Sequence, residues 1–168
     1  MLALVITGPP GAGKSEVAAM LHDSLGDAGE DVALVEVDEL ERSYPPIDRE
    51  RSLAHLRMLA DSYREIGTPL LIVTATLEDD AHRQAALAAT GAARTLLVRL
   101  EADPETLRDR ILSREPPGWE GLPDLLNASR ALAASMPGAL SGVDLVLSTE
   151  GRQPGDVAER IQVELLRG

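Results

Sequence analysis

Apolar residues fall along this chain in two alternating rhythms. Continuous Val/Ile/Leu-rich runs of strand length occupy Leu2–Thr7, Asp31–Val37, Pro69–Ala75, Arg94–Leu100 and Val143–Ser148. Unbroken apolar runs are expected where a parallel sheet is covered on both faces. Between them lie segments of helical period: Lys14–Ala28, Asp48–Ile66, Asp79–Ala89, Pro104–Arg114, Pro123–Ser135 and Pro154–Leu166. In the second of these, Leu53, Leu56, Leu59, Tyr63 and Ile66 recur every three to four residues, with Arg49, Arg57 and Arg64 off the stripe. Repetition of strand and helix predicts an α/β fold, a three-layer sandwich around a parallel sheet.

Punctuation agrees with this division. Gly67-Thr68-Pro69 and Gly91 close helices before strands, and Asp103-Pro104 and Gln153-Pro154 open helices with an early proline. No internal repeat, low-complexity tract or long linker divides the chain, so one domain over residues 1–168 is expected. The one flexible excursion is Glu115-Pro116-Pro117-Gly118-Trp119-Glu120-Gly121, a short lid-like stretch at about 115–121.

Composition narrows the chemistry. The absence of cysteine excludes disulfides, thiolate metal sites and cysteine nucleophiles. The three histidines, His22, His55 and His82, share no ligand-like spacing and read as ordinary surface or boundary residues. A formal net charge of −12 repels long nucleic acid and anionic lipid. No apolar run approaches the ~20 residues of a membrane helix, and the apolar start lacks the basic lead of a targeting signal. A soluble cytoplasmic protein is the expectation; oligomeric state is not readable. Phenylalanine is absent, which leaves the core to Leu, Val, Ile and Ala, and Lys14 is the single lysine among sixteen basic residues.

That lysine lies in the segment that carries chemistry. Gly8-Pro9-Pro10-Gly11-Ala12-Gly13-Lys14-Ser15 fits G-x-x-x-x-G-K-S, between a predicted strand and a predicted helix, where a phosphate-binding loop belongs. Glycines 8, 11 and 13 let successive N–H groups turn inward, and the helix beginning near Lys14 adds its unpaired N–H groups at the same point. Lys14 can reach the β- and γ-phosphates of a nucleotide, and Ser15 can supply a hydroxyl to Mg2+.

The rest of the chain must name the reaction. Asp38 follows the second strand at its carboxyl end, where ligands gather in open α/β sheets. There it can take a proton from a substrate hydroxyl, hold Mg2+ through water, or cap a turn. Glu36, Glu39 and Glu41 read as solvated charges, and Arg42 as either an anion contact or a partner for these acids. The third strand ends in Thr74-Ala75-Thr76 without the metal-holding aspartate of many phosphate-loop ATPases, so Thr74, Thr76 or Asp38 must serve instead. Glu78-Asp79-Asp80 read as helix-capping acids, and Arg83 faces either cleft or solvent. Arg110 and Arg114, four apart, share one helix face leading into the Pro/Gly excursion. Such a pair suits neutralisation of a phosphoryl group in transit, or nucleotide-base stacking by Arg110, against the plainer reading of pairing with Glu105, Asp109 or Glu115. Trp119 is either a stacking platform or a hydrophobic clasp for the excursion, and the loop after the fifth strand, Thr149 to Pro154, is placed to wrap a nucleotide base.

These residues resemble the small P-loop kinases of metabolites, the gluconate, shikimate and adenylylsulfate kinases and chloramphenicol phosphotransferase. The match lies in Gly8–Ser15, in Asp38, in Leu100…Asp103-Pro104-Glu105…Arg110…Arg114, and in Leu122–Ser129 after the excursion. The spacing from Asp38 to Pro45 resembles that of the chloramphenicol enzyme. The acid-glycine-acid pattern of gluconate kinases and the glycine run of shikimate kinases are both missing. The resemblance implies a sheet of order 2-3-1-4-5, ATP and Mg2+ as cosubstrates, and phosphoryl transfer to a hydroxyl of a small molecule. It makes Lys14 a catalytic phosphate ligand, Asp38 the base or substrate anchor, and Arg110 and Arg114 lid arginines. Two alternatives stay open: a nucleotide-dependent switch or slow ATPase acting through a protein partner, and a nucleoside or nucleotide kinase.

Overall fold

The computed structural model describes residues 1–167. Its elements run β1 (Leu2–Thr7), α1 (Lys14–Asp27), β2 (Val32–Glu36), α2 (Val37–Leu40), α3 (Arg49–Glu65), β3 (Leu70–Thr74), α4 (Asp80–Thr90), β4 (Arg94–Glu101), α5 (Pro104–Arg114), α6 (Leu122–Ala139), β5 (Leu145–Ser148) and α7 (Pro154–Arg167). The five strands form one parallel sheet of order β2-β3-β1-β4-β5. The central pairing sets Leu4 opposite Ile72 on one side and Leu96 on the other. Among the described residues, no helix is long and apolar enough to cross a membrane.

Side-chain alternation splits the core into two layers. Leu4, Ile6, Ile72, Val98 and Leu100 face α1 and α7, where Val17, Leu21, Val157 and Ile161 are buried against them. Val5, Val35, Val73 and Leu97 face the opposite layer, where Leu56, Ala60, Ala86 and Met136 close the packing. Leucine, valine and alanine fill both layers without a phenylalanine. The parallel strands all point their carboxyl ends the same way, so the loops after β1, β2, β3, β4 and β5 open on one rim.

Several element boundaries shift from those the sequence suggests. The second strand stops at Glu36, and the short helix α2, unpredicted, carries Asp38 away from it. The helix after the excursion runs through Pro137 to Ala139 instead of ending at Ser135. In α3 the buried face is Ser52, Leu56 and Ala60, with Leu53, Leu59 and Tyr63 packed at its margin. Ile66, the expected end of that stripe, is its C-cap and lies 75% exposed, because the helix has already ended there.

Candidate phosphate-transfer site

The loop from Gly8 to Gly13 is held from outside by its carbonyls. Ala12 N donates to the Pro9 carbonyl at 3.1 Å. Lys14 Nζ donates to the Gly8 carbonyl at 3.0 Å, the Ser129 hydroxyl to Pro10 at 2.8 Å, and an Arg110 nitrogen to Gly11 at 3.2 Å. With these oxygens occupied and the Ala12 N–H turned to Pro9, the N–H groups of Gly11 and Gly13 have no backbone partner among the described residues and lead into the first turn of α1, whose N–H groups have no intrahelical partner. Gly11 shows why the sequence must be glycine there. Its φ is 84°, and a Cβ would lie 2.7 Å from the Leu107 carbonyl oxygen of α5. Gly13, with φ 87°, is the N-cap of α1.

Lys14 is buried, 8% exposed, over this cradle. Burial pushes its ammonium below the ordinary lysine range, opposed mainly by the Asp38 charge. Asp38 Oδ2 stands 3.8 Å from Lys14 Nζ. The same carboxylate accepts from Thr76, two residues past β3, at 3.4 Å from the backbone N and 3.2 Å from the hydroxyl. The sequence left open whether Thr76 or Asp38 stands in for the missing acid of the third strand; the fold ties the two together.

Ser15 donates its hydroxyl to the Glu36 carboxylate. Glu36 had read as a solvated charge, and this is a correction. Its strand alternates, and Glu36 shares the face of Val32 and Leu34, which turns toward α1. The period-2 pattern was the signal that could have found it. Glu39 and Arg42 do pair with each other, at 2.8 Å and largely exposed.

The two arginines of α5 part company. Arg110 donates to the Thr149 hydroxyl and carbonyl, both at 2.9 Å, in addition to Gly11. It thus joins the phosphate loop to the loop after β5. Arg114 is half exposed and pairs with Glu115 at 2.8 Å. It borders two spaces. One is a cavity of about 320 Å3 walled by Gly13, Val17, Arg110, Thr149, Arg152 and Pro154. The other is an open cleft of about 810 Å3 running past Ser15, Glu36, Asp38, Arg42 and Trp119.

On the far side of Asp38 lies a third space of about 250 Å3, bounded by Val37, Glu41, Ile47, Arg49, Glu78 and His82. His82, expected at a surface or boundary, is 7% exposed and forms part of its wall. It sits in the first turn of α4, capped by Asp79, which accepts from its backbone N at 2.7 Å, and so turns toward the sheet end. Asp79 is a cap as expected, whereas Glu78 pairs with Arg49. Arg83 turns away from the cleft, to Asp80 at 2.7 Å and Ser141 at 3.4 Å. His22 is a surface residue beside Asp23.

Comparison with solved structures finds the same fold in several kinases. A sugar kinase from Janibacter sp. HTCC2649 superposes with a TM-score of 0.72 at 18% identity, covering 98% of this chain and 94% of that one. A gluconokinase from Sinorhizobium meliloti 1021 gives 0.66 at 16%, covering 98% and 91%. The adenylylsulfate (APS) kinase of Mycobacterium tuberculosis, in complex with AMPPNP and APS, gives 0.65 at 21%, covering 99% and 97%. At these identities the likeness is one of architecture. No curated protein matches the sequence. Residues 4–120, which hold the phosphate loop, Asp38 and α5, match the family model described as an AAA domain, and the chain is a member of that family.

Proposed function

We propose that this chain transfers the γ-phosphoryl group of ATP to a hydroxyl group of a small molecule, with Mg2+ as cosubstrate. The observation that carries this reading is Asp38. One carboxylate is held between the phosphate-loop lysine, at 3.8 Å, and Thr76, on the border of both the open cleft and the 250 Å3 cavity. That is where an acceptor hydroxyl would meet the γ-phosphate.

Lys14 and the loop N–H groups bind and orient the triphosphate. Desolvation strengthens the pull of the Lys14 charge on phosphate oxygens. Asp38 accepts the proton as the acceptor oxygen forms its bond to phosphorus, while the bond to the bridging oxygen breaks and its electron pair leaves on ADP. Arg114, on a half-exposed side chain, is free to move from Glu115 to the transferring group. Arg110 contributes by position, holding the phosphate loop against Thr149.

The residues fit Mg2+. Ser15 commits its proton to Glu36, which leaves the hydroxyl lone pairs for a metal, and Asp38, on the same cleft, would hold the ion through water. Bound there, the ion would supply neutralisation of phosphate charge. A switch acting through a protein partner would share the phosphate loop, but the walled cavity beyond Asp38 favours a transferase. The net charge of −12 disfavours a long nucleic-acid acceptor.

Labelled ATP with a panel of hydroxyl compounds tests the reading. Acceptor-dependent ADP release is expected. Asp38→Asn should keep ATP binding and lose ~10²–10⁴ in rate. Normal transfer by that variant would remove Asp38 from the mechanism, and nucleotide turnover indifferent to every acceptor would remove the transferase.

A further inference from the structure

We propose that the acceptor is a cation, a small hydroxyl compound carrying a protonated amine, held in the 250 Å3 cavity between α2, α3 and α4. This deepens the phosphotransfer reading and rests on it.

The charge of the walls is the first argument. Asp38, Glu41 and Glu78 border this cavity against a single guanidinium, Arg49. Arg49 is already paired with Glu78 and has Asp79 at 4.0 Å. The adjoining cleft repeats the pattern: Arg42 is held by Glu39 and Arg114 by Glu115, each at 2.8 Å, with Glu16, Glu36 and Asp38 beside them. An anionic acceptor would have to displace carboxylates from these arginines and would do so next to a triphosphate. A protonated amine there faces three carboxylates against one guanidinium that is already ion-paired. Partial desolvation raises the Glu41 carboxyl above its usual range, against the opposing pull of Arg49.

His82 is the second and independent argument. It is 7% exposed, it belongs to the cavity wall, and neither ring nitrogen has a hydrogen-bond partner. Buried polar nitrogens are nearly always satisfied, so an orphaned imidazole in the wall of a cavity is a candidate ligand contact. Burial lowers its pKa and favours the neutral ring, which offers one N–H donor and one lone pair. An amino alcohol carries the matching donors and acceptor. On the opposite side of Asp38, Trp119 is 46% exposed in the cleft, an aromatic face available to a cation on entry.

The test uses the full chain loaded with Mg2+ and AMPPNP. It is mixed with six-carbon sugars and cyclitols in amino, neutral and acid forms (glucosamine, glucose and gluconate, and the cyclitol counterparts), and retained compounds are identified by mass spectrometry. The amino forms should be retained, less so as salt is raised. A Glu41→Gln, Glu78→Gln double variant should bind them at least about tenfold more weakly, with AMPPNP binding as the check that it is folded. Retention of the acid forms, equal retention of all forms, or no retention by protein that has bound AMPPNP would overturn the inference and leave the transferase standing. Failure to bind AMPPNP would instead remove the transferase reading, and this one with it.

Discussion

The Ser15 hydroxyl donates to the carboxylate of Glu36, which joins the first turn of α1 to the last residue of β2. A phosphate-loop serine whose proton is already placed presents its lone pairs in one direction. Glu36→Gln should therefore loosen metal binding while leaving the fold intact. The Mg2+ concentration for half-maximal turnover should rise ~10–100-fold, as for other partners of metal ligands. A magnesium titration of nucleotide binding checks this, and an unchanged titration would make Glu36 a bystander.

Lys14 is held below the ordinary lysine range by burial. A base with a lowered folded-state pKa costs stability while it is protonated. Stability then rises with pH through the window from the folded value up to 10.5. Lys14→Met should abolish ATP binding and yet melt at or above the wild-type temperature without nucleotide. Each kcal/mol of relief is worth ~2–4 °C at this size. Calorimetry with and without ATP measures both halves, and a variant that melts lower but still binds would contradict the assignment.

Arg110 makes its contacts through a planar fork, to Gly11 on one side and Thr149 on the other. Arg110→Ala should destabilise the protein by about 2 kcal/mol, the scale of charge-assisted hydrogen bonds in a part-buried site. It should also weaken ATP binding by about tenfold, since both loops lose their common anchor. Arg110→Lys should not rescue it, because one ammonium cannot span both loops. Recovery by lysine would mean that charge alone is used there.

His82 is predicted to make the protein acid-sensitive. Burial lowers its pKa from 6.5, so below pH 6.5 the unfolded chain takes up a proton that the folded chain resists, and stability falls as pH falls. The His82→Gln variant should flatten the dependence of Tm on pH in that range. An unchanged slope would place the acid sensitivity elsewhere.

The parts of this molecule written in local sequence were legible. Strand, Gly8–Ser15 and helix follow one another directly, and their geometry depends on little else. Asp38 was legible as an acid following the second strand, although the sequence could not say that it would sit on a short helix or that Thr76 would hold it. Glu36 was hidden inside what looked like a charge run, because its role depends on which face of β2 meets α1. His82 was hidden for the same kind of reason. A histidine in a first helical turn is buried or exposed according to how α4 packs beside α3, a contact between segments far apart in the chain. Arg110 was legible as one of two arginines on a face of α5, but its partner Thr149 follows β5, and only the pairing of β5 with β4 brings it near.

Ser129 on α6 and Leu107 on α5 both rest on the phosphate loop, one through the Pro10 carbonyl and the other against Gly11. Residues 115–121 are therefore a span bolted at both abutments. A bolted span of that length can bow by no more than ~12 Å at its midpoint, half its extended contour. It has the reach to carry Trp119 over the cleft beside Arg114, but not to swing like a hinged door. Entry and exit of small molecules would then be paced by the flexing of seven residues, not by the tumbling of a domain.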